Sequence, residues 1–358
     1  MLEARGAVKQ MQTYHPPLAG RQGLRLDFNE NTVGCSPRVL ARMHALDAQV
    51  LACYPDREPV EREVARFLRL DATQLLLTNG VDEAIHLLCS TYLEAGDEAL
   101  IVVPTFAMYS IFAQATGARI VEVRSGSDFS FPAEALLTKV SPRTRLIAVA
   151  NPNNPTGAGV SEDVLLRIAD AAPHAALLVD EAYFEFHGQT LLTRRVRPIN
   201  IFVARTFSKA YGLAGMRIGV LVGDSQQMAM VRRVASPYNV NAVSLAVLPE
   251  ALQDTAFVER YAAEVRHNRD RLEQELHAQG LPYWPSRGNF VLVRIGPLHK
   301  EFVHSLRERG ILVRDRDSDP GCAGAVRLTV GSDEHTRTLI AALRGVVEEL
   351  ALRREVRA

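Results

Sequence analysis

The feature that most constrains the fold is an alternation of short apolar runs and helix-like segments between about residue 36 and residue 250. Several of the runs are apolar at consecutive residues, which is typical of strands whose two sheet faces are both covered by helices. We predict strands at residues 75–77, 99–103, 119–123, 146–150, 176–179, 200–204 and 218–222, with helical patterns between them that include 82–93, 105–116 and 161–171. Strand–helix alternation of this kind predicts an α/β fold with a mostly parallel central sheet and helices on both faces.

The flanking segments predict a division into three regions. The first 35 residues show no clear pattern and are interpreted as an arm. Ser36 and Pro37 are typical of a helix N-cap followed by a first-turn proline, and predict a helix that reaches about Val50. Beyond residue 250 we predict helices at 251–279, 299–309 and 333–352 and strands at 290–295, 311–314 and 325–330. The expected domains are an N-terminal arm (1–35), a large domain (36–250) and a smaller α+β C-terminal domain (251–358).

Composition excludes several classes of partner. The chain has 41 Lys plus Arg and 41 Asp plus Glu, so it lacks the basic excess that is typical of nucleic-acid binding. Its apolar runs are far shorter than the roughly 20 residues that span a bilayer, and its N-terminus lacks the apolar core of a signal peptide. The four cysteines have no CxxC pair, which favours free thiols in a reducing cytoplasm. We therefore expect a cytoplasmic protein with no nucleic-acid partner and no membrane segment.

No metal site is expected either. The histidines and cysteines lack the spacing of metal ligands. Asp315, Asp317 and Asp319 alternate like the start of an EF-hand loop, but Pro320 stands at the sixth position and Val326 at the twelfth. We interpret these three aspartates as a solvated acidic turn.

Polar residues that follow the apolar runs are the first candidates for a functional site, because ligands of open α/β sheets bind beyond the carboxyl ends of the strands. Gly80, in the turn TNGVDE, permits close backbone approach at a helix N-terminus that suits phosphate, although ordinary turn and cap chemistry explains the same residues. The motif NPNNPTG (151–157) is either a simple loop or a rigid mount for an amide donor. Asp180 ends a buried run, where a carboxylate is costly unless a cation pairs with it.

The segment RTFSK (205–209), followed by Arg217, adds a lysine at another strand end. A desolvated lysine can be neutral at physiological pH and can condense with an aldehyde. Asp180 on a neighbouring strand can pair with a protonated pyridine nitrogen, which is the partner that a pyridoxal ring needs. Hydroxyls, a guanidinium and backbone N–H groups for a phosphate monoester come from Thr206, Ser208, Arg217 and the turn at 80–82. Taken singly, the aspartate is also explained as a cap, and the lysine and arginine as solvated charges.

The order of these motifs resembles that of a known family. NPNNPTG (151–157), VDEAY (179–183) and TFSKAYGLAGMR (206–217) are similar to the signature of fold-type-I pyridoxal-phosphate enzymes of the class I/II aminotransferase group. Within that group the chain resembles the histidinol-phosphate aminotransferases, on an arm with Tyr14, NEN (29–31), YPD (54–56), PTFAMY (104–109), ILVRD (311–315) and VRLTVG (326–331). The resemblance implies a fold-type-I transferase with pyridoxal 5'-phosphate as its cofactor.

The same resemblance implies roles for individual residues. Lys209 would form the Schiff base and carry the proton, Asp180 would keep the ring nitrogen protonated, and Tyr183 and Asn154 would bond the phenolate oxygen. Gly80, Val81, Asp82, Thr206, Ser208 and Arg217 would hold the phosphate, and Phe106 would stack on the ring. Tyr54 would reach the cofactor of a neighbouring subunit, which implies a homodimer with shared active sites.

Substrate residues are also implied by the resemblance. Arg327 and Arg314 would bind the anionic group, with Tyr14, Asn29 and Asn154 beside the substrate; the other interpretation of Arg314 is a surface ion pair with Asp315 or Asp317. The implied reaction is ping-pong transamination between L-histidinol phosphate and 2-oxoglutarate, giving imidazole acetol phosphate and glutamate. Aromatic amino acid transaminases and threonine-phosphate decarboxylases share most of the pattern, and a non-catalytic regulator is a third alternative. NENT (29–32) departs from the NENP of the family, near the substrate mouth.

Overall fold

The computed structural model describes residues 2–17, 20–194 and 197–357. Its helices are α1 (Gly6–Lys9), α2 (Pro37–His44), α3 (Ala48–Ala52), α4 (Glu58–Leu68), α5 (Gly80–Tyr92), α6 (Met108–Thr116), α7 (Ala133–Leu137), α8 (Glu162–Ala171), α9 (Phe184–His187), α10 (Ser225–Val234), α11 (Ala242–Gln253), α12 (Thr255–Ala278), α13 (His299–Glu308) and α14 (Asp333–Arg357). Its strands are β1 (Leu24–Arg25), β2 (Leu75–Thr78), β3 (Glu98–Val103), β4 (Arg119–Arg124), β5 (Thr144–Ala150), β6 (Ala176–Asp180), β7 (Ile201–Thr206), β8 (Gly219–Val222), β9 (Tyr283–Trp284), β10 (Phe290–Arg294), β11 (Ile311–Leu312), β12 (Arg314–Asp315) and β13 (Ala325–Thr329). Short 3-10 helices lie at Ala72–Gln74, Leu191–Thr193, Ala214–Met216 and Gly296–Leu298.

The central sheet has seven strands in the order β2-β8-β7-β6-β5-β3-β4. Strands β3 to β7 pair in parallel, whereas β8 is antiparallel to both of its neighbours, β2 and β7. All seven predicted strands are present in this sheet, so the prediction of a mostly parallel α/β sheet is confirmed. The register places Asp180 beside Ala150 on one side and Ala204 on the other, which aligns the carboxyl ends of β5, β6 and β7.

Helices cover both faces of the sheet, and this explains its continuous apolar runs. Every residue of β2, β3, β6, β7 and β8 is buried. Alternate residues divide between two core clusters, as Val203 and Ala204 of β7 illustrate, because successive side chains of a strand point to opposite faces. The edge strand β4 is different: Arg119, Glu122 and Arg124 are exposed, and charged side chains at a free edge discourage pairing with another chain.

Two predicted helices are each divided in the structure. The cap at Ser36 is confirmed, since its Oγ accepts from the Arg38 N–H at 3.2 Å, but α2 ends at His44 and a second helix, α3, follows. Asp47 causes the division, because its Oδ1 accepts from the N–H groups of Gln49 at 2.9 Å and Val50 at 3.1 Å and starts α3.

The predicted helix at 251–279 is largely confirmed, since α12 spans Thr255–Ala278, but its first three residues belong to the preceding helix. The chain forms α11 before residue 254 and α12 after it, and the side chain of Asp254 accepts from the Phe257 N–H at 3.4 Å. In both places a local side-chain cap overrides a continuous helical pattern.

A second, antiparallel sheet has the strand order β12-β13-β10-β9. The predicted strand at 311–314 is divided: β11 pairs in parallel with β1, and β12 pairs with β13. The arm, predicted to have no pattern, therefore contributes a strand, β1, that adjoins the second sheet. The boundaries at residues 36 and 251 stay a prediction. Among the described residues, no helix has the length and apolar character needed to cross a membrane.

Candidate active site

A cavity of about 550 Å³ lies beyond the carboxyl ends of the central strands. Most of the residues singled out from the sequence line it, although they come from positions up to 136 residues apart along the chain. The predicted residues that line the cavity are Val81, Asp82, Phe106, Asn154, Asp180, Tyr183, Thr206, Ser208, Lys209 and Arg217. The end of a parallel sheet is where separate strand-to-helix turns meet, which explains how the fold collects them.

Lys209 follows β7 and projects into this cavity. Its Nζ donates to the backbone oxygen of Phe28 at 3.0 Å and lies 5.9 Å from the ring centre of Tyr183. Burial lowers the pKa of Lys209 to about 8, and the neighbouring charge of Arg327 acts in the same direction. The amine can therefore lose its proton and act as a nucleophile or base near physiological pH.

Asp180 ends β6 and is buried. Its carboxylate accepts from the hydroxyl of Tyr109 at 2.5 Å and from the N–H of Ala182 at 3.0 Å. Burial raises the pKa of Asp180 to about 6, while these two hydrogen bonds act in the opposite direction. A buried carboxylate held only by neutral donors is suited to receive a cationic ligand group such as a pyridinium.

Tyr109 is a site residue that sequence reasoning missed. It lines the cavity three residues after Phe106, and the two rings meet edge to face with centroids 5.9 Å apart. The signal was present in PTFAMY, because residues three apart at a helix start point to the same side. We assigned a role only to the first aromatic residue of that motif.

The N-terminus of α5 forms a corner suited to phosphate. The Asn79 side chain does not cap the helix, so its first N–H groups are free of a side-chain acceptor. Gly80 has φ 72°, and a Cβ there would lie 2.7 Å from Nη2 of Arg217. Arg217 also donates to Asp82 at 3.0 Å, and the hydroxyls of Thr206 and Ser208 are 2.9 Å apart. These donors, with Lys209 and Asp180, fit pyridoxal phosphate by their chemistry and by a backbone approach that only glycine allows here.

Asn29, Asn154 and Tyr183 belong to one hydrogen-bonded group. The Asn29 side-chain amide donates to the Tyr183 hydroxyl at 2.9 Å, and Asn154 Oδ1 accepts from Arg327 Nη1 at 2.5 Å. Burial raises the pKa of Tyr183, although the charge of Arg327 and the Asn29 bond act against that rise. With its oxygen occupied by Arg327, Asn154 presents its NH2 group as a donor toward the cavity.

Two predicted arginines are neighbours on adjacent strands of the second sheet. Arg314 of β12 is the register partner of Arg327 of β13. Burial lowers the pKa of Arg327 to about 10, and the nearby charges of Arg316 and Arg314 contribute. Within the described chain Arg314 forms no ion pair; its Cζ lies 5.3 Å from the ring centre of Phe28, so the surface pair with Asp315 or Asp317 is not formed.

The interpretation of residues 315, 317 and 319 as a solvated turn is partly wrong. Asp315 accepts from Nδ1 of the buried His299 at 2.9 Å, and Asp319 forms an ion pair with Arg316 while only 20% of its side chain is exposed. Arg316, which sequence reasoning also missed, is two residues beyond Arg314, and its Nε is buried with no hydrogen-bond partner among the described residues. Through Asp319, the acidic turn therefore pairs with one member of the group formed by Arg314, Arg316 and Arg327. Residues two apart in an extended chain point to the same side, and this spacing between Arg314 and Arg316 was the sequence feature that could have indicated Arg316.

Six predicted residues do not line this cavity. Four of them lie against a residue that does: Gly80 against Arg217, Asn29 against Tyr183, Arg327 against Asn154 and Arg314 against Phe28. The other two are Tyr54 and Tyr14. Tyr54 is 82% exposed and stacks on Tyr238, with ring centroids 4.5 Å apart. Tyr14 is 44% exposed and does not line the cavity, whereas Pro16, from the same arm, does. The arm thus approaches the site at a different residue from the one predicted, because an arm without a periodic pattern gives no basis for choosing its contact point.

Comparisons with known proteins agree on one family. The family described as "Aminotransferase class I and II" matches residues 21–343. A histidinol-phosphate aminotransferase of Caldanaerobacter subterraneus subsp. tengcongensis is 34% identical over 331 residues, which cover 90% of this chain and 93% of that protein. Histidinol-phosphate aminotransferase 1 of Bacillus anthracis is 35% identical over 344 residues, with coverage of 93% and 91%.

A solved structure shows the same fold. The crystal structure of histidinol-phosphate aminotransferase from Sinorhizobium meliloti in complex with pyridoxal-5'-phosphate superimposes with a TM-score of 0.87 at 24% identity. The alignment covers 98% of this chain and 99% of that one. The predicted fold class, with a mostly parallel sheet and a separate smaller sheet, is therefore confirmed.

Proposed function

Since the chain belongs to the class I and II aminotransferase family, we propose that it transfers an amino group from L-histidinol phosphate to 2-oxoglutarate. It is a pyridoxal-phosphate-dependent aminotransferase, and the products of the proposed reaction are imidazole acetol phosphate and glutamate. The two half-reactions alternate at one site, so the kinetics are ping-pong. Relatives that bear the name histidinol-phosphate aminotransferase, each aligned over about nine-tenths of the chain, support the choice of substrate.

The observation that carries the substrate proposal is the cross-strand pairing of Arg314 with Arg327. Two guanidinium groups side by side repel each other, and burial of Arg327 increases that cost. A phosphate monoester carries up to two negative charges and accepts several N–H bonds, so it offsets both cations. A carboxylate of 2-oxoglutarate is a smaller anion that would use the same site in the second half-reaction.

Pyridoxal phosphate, when bound, supplies an aldehyde that captures the amino group and a ring that accepts the electron pair of the substrate α-carbon. Lys209 removes and returns the proton at that carbon, for which a pKa near 8 is well matched. Asp180 would accept a hydrogen bond from the ring nitrogen and favour its protonated form. Tyr183, which Asn29 holds in place, and the amide of Asn154 would donate to the ring oxygen.

The functional unit is proposed to be a homodimer with shared sites, and its location the cytoplasm. Tyr54 supports the first part, because a tyrosine that is 82% exposed and does not line the cavity of its own chain is available to a second copy. The four free cysteines support the second part, since free thiols are typical of a reducing compartment.

Half-reactions test the substrate. The cofactor-loaded protein is mixed with histidinol phosphate, histidinol, phenylalanine or threonine phosphate, and the change in cofactor absorption is followed. We expect kcat/KM for histidinol phosphate to be at least about 100-fold higher than for phenylalanine or histidinol. The reason is that only histidinol phosphate among these three carries a phosphate group that can bond to the arginine pair. Equal or faster conversion of phenylalanine contradicts the proposal, and release of CO2 from threonine phosphate identifies a decarboxylase instead.

A pair of variants tests the arginine clamp. Arg314→Met is expected to lower kcat/KM for histidinol phosphate by about 100-fold, which corresponds to loss of a charge-assisted bidentate contact. Arg294→Met on β10, two strands away in the same sheet, is the control, because Arg294 is exposed and its Cζ lies over Trp284, 5.2 Å from the ring centre. Equal losses in the two variants would contradict the role of Arg314.

A further inference from the structure

A second cavity, of about 820 Å³, lies on the face of β7 opposite the candidate active-site cavity of about 550 Å³. The two cavities share no lining residue. Arg205 lines the second cavity and Thr206 lines the first, because successive residues of a strand point to opposite faces. The walls come from the end of α4 and the two residues after it, from residues between 190 and 194, from residues 197 and 198, and from Ile201 and Arg205 of β7. This cavity is therefore a separate site, and an inference about it does not rest on the proposed transamination.

Positive charge dominates the second cavity. It is lined by Arg69, Arg194, Arg197 and Arg205, and Asp224 is the one acidic residue among the lining side chains that the structure describes. Asp224 is already occupied, since its Oδ1 accepts from the N–H groups of Gln226 at 2.9 Å and Gln227 at 3.3 Å at the start of α10. The lining thus favours an anion.

Arg197 is the arginine that needs a partner. Arg205 pairs with the buried Glu181 at 3.0 Å, and Arg194 pairs with Glu162 at 2.8 Å. Arg197 forms no ion pair with any described residue, and its Nη1 is buried without a hydrogen-bond partner. Burial lowers the pKa of Arg197, although the charges of Glu181 and Asp224 act in the opposite direction. A buried donor without an acceptor is uncommon in folded proteins and indicates a missing partner.

The rest of the cavity is apolar and large. Phe67, Leu70, Leu192, Pro198 and Ile201 contribute to its walls. In addition, the guanidinium carbon of Arg205 lies 3.5 Å from the centre of the Phe184 ring. A volume of 820 Å³ is within the range of about 300–1,000 Å³ that is typical of small-molecule sites, and an inorganic ion would leave most of it empty.

We propose that this second cavity binds a small organic anion, in which one carboxylate or phosphate group contacts Arg197 and an apolar body lies against Phe67, Leu192 and Ile201. The anion satisfies the buried Nη1 donor, and burial of its apolar body provides the remaining affinity.

Calorimetry on the cofactor-loaded protein tests this site with three probes: 1-naphthyl phosphate, 1-naphthoate and inorganic phosphate. We expect at least one naphthyl probe to bind with one site per chain, and inorganic phosphate to bind at least ten-fold more weakly. The comparison of the two naphthyl probes identifies the preferred anionic group. Absence of naphthyl binding, or equal affinity for inorganic phosphate, would overturn the proposal.

Three variants locate the bound probe. Arg197→Met removes the charge, and Thr193→Trp fills the cavity from an exposed position, so each is expected to weaken naphthyl binding at least ten-fold. Arg145→Met replaces a half-buried arginine outside both cavities and should bind as the parent does. Should Arg197→Met fail to fold, Thr193→Trp decides alone. Unchanged affinity in Thr193→Trp, or loss of binding in Arg327→Met instead, would mean that the probe occupies another site and would refute the inference.

Discussion

Asp180 and Glu181 are neighbours in the chain but serve opposite faces of the central sheet. Asp180 lines the candidate active-site cavity, whereas Glu181 forms a buried ion pair with Arg205 and accepts from the Thr190 hydroxyl at 2.6 Å. Because successive side chains point to opposite faces, Asp180 is placed for the proposed chemistry and Glu181 for stabilising the fold. The two acids look equivalent in the motif VDEAY, and only the pairing with Arg205 distinguishes them.

This contrast gives a prediction. Asp180→Asn should lower kcat by at least about 100-fold and change the free energy of unfolding by less than about 1 kcal/mol, because the shape of the side chain is kept. Glu181→Gln should lower the free energy of unfolding by about 3–5 kcal/mol, because Arg205 stays buried without a counter-ion. Urea denaturation and steady-state kinetics separate the two effects. Comparable losses of activity in the folded variants would contradict the role given to Asp180.

Tyr109 tunes the same carboxylate, and its removal should change the pH dependence of cofactor binding. The pKa of Asp180 is about 6 with the Tyr109 hydrogen bond in place, and that bond lowers it. The cofactor-free protein should therefore lose affinity for pyridoxal phosphate as the pH falls through about 6, where Asp180 becomes protonated. In Tyr109→Phe the pKa of Asp180 rises, so the loss should begin at a higher pH.

Titration of affinity against pH for the two proteins is the measurement. Tyr92→Phe is the matched control, because the Tyr92 hydroxyl donates to Gln227 at 3.0 Å and lies outside the cavity. Superimposable pH profiles for Tyr109→Phe and the parent protein would argue against a link between Tyr109 and Asp180.

At the scale of elements, the start of α5 and the loop after β7 form the proposed phosphate corner together. Gly80 has a positive φ and lies against Arg217, so the helix begins where its N–H groups and the guanidinium can reach one anion. The sequence predicted a turn there without deciding between a cap and a binding site. The close approach of Arg217, 137 residues further along the chain, favours the binding site.

Gly80→Ala tests this corner. Any alanine at positive φ costs about 1–2 kcal/mol, but here the Cβ also lies 2.7 Å from Arg217 Nη2 and displaces it. We expect the Kd for pyridoxal phosphate to rise at least about 10-fold, which equals the loss of one charge-assisted hydrogen bond. Gly188→Ala is the control, because Gly188 has φ 85° and no atom within 4 Å of the added Cβ. A similar rise in Kd for both variants would assign the effect to backbone strain.

At the scale of the whole molecule, the exposed Tyr54 leads to the prediction that each active site of a dimer contains residues from both chains. Lys209→Ala and Tyr54→Ala homodimers should both be impaired, since each site needs Lys209 from one chain and Tyr54 from the other. Mixing the two variants after reversible dissociation should restore about a quarter of the activity, because half of the dimers are hybrid and each hybrid holds one intact site. Activity that stays at the level of the unmixed variants would mean that Tyr54 serves its own chain.

The fold and most of the residues that line the candidate active-site cavity were predictable because their signals are local. A strand buried on both faces needs consecutive apolar residues, and the polar residues at its carboxyl end follow in the same short stretch, as they do at Asp180 and Lys209. The helix breaks at Asp47 and Asp254 were not predicted, because each cap is formed by one side chain and acts on N–H groups only two or three residues further along the chain.

The sequence by itself thus determined the order of the seven central strands along the chain, the α/β class and the set of polar residues at the strand ends. Only the tertiary structure decided which side chains meet. It joins Tyr109 to Asp180 across 71 residues and Arg327 to Asn154 across 173 residues. It also places Arg197 in the wall of a cavity that no sequence motif predicted. The physical reason is that hydrophobic periodicity is a property of neighbouring residues. Hydrogen bonds and charge pairs depend on which distant side chains the packed sheet brings within about 3 Å.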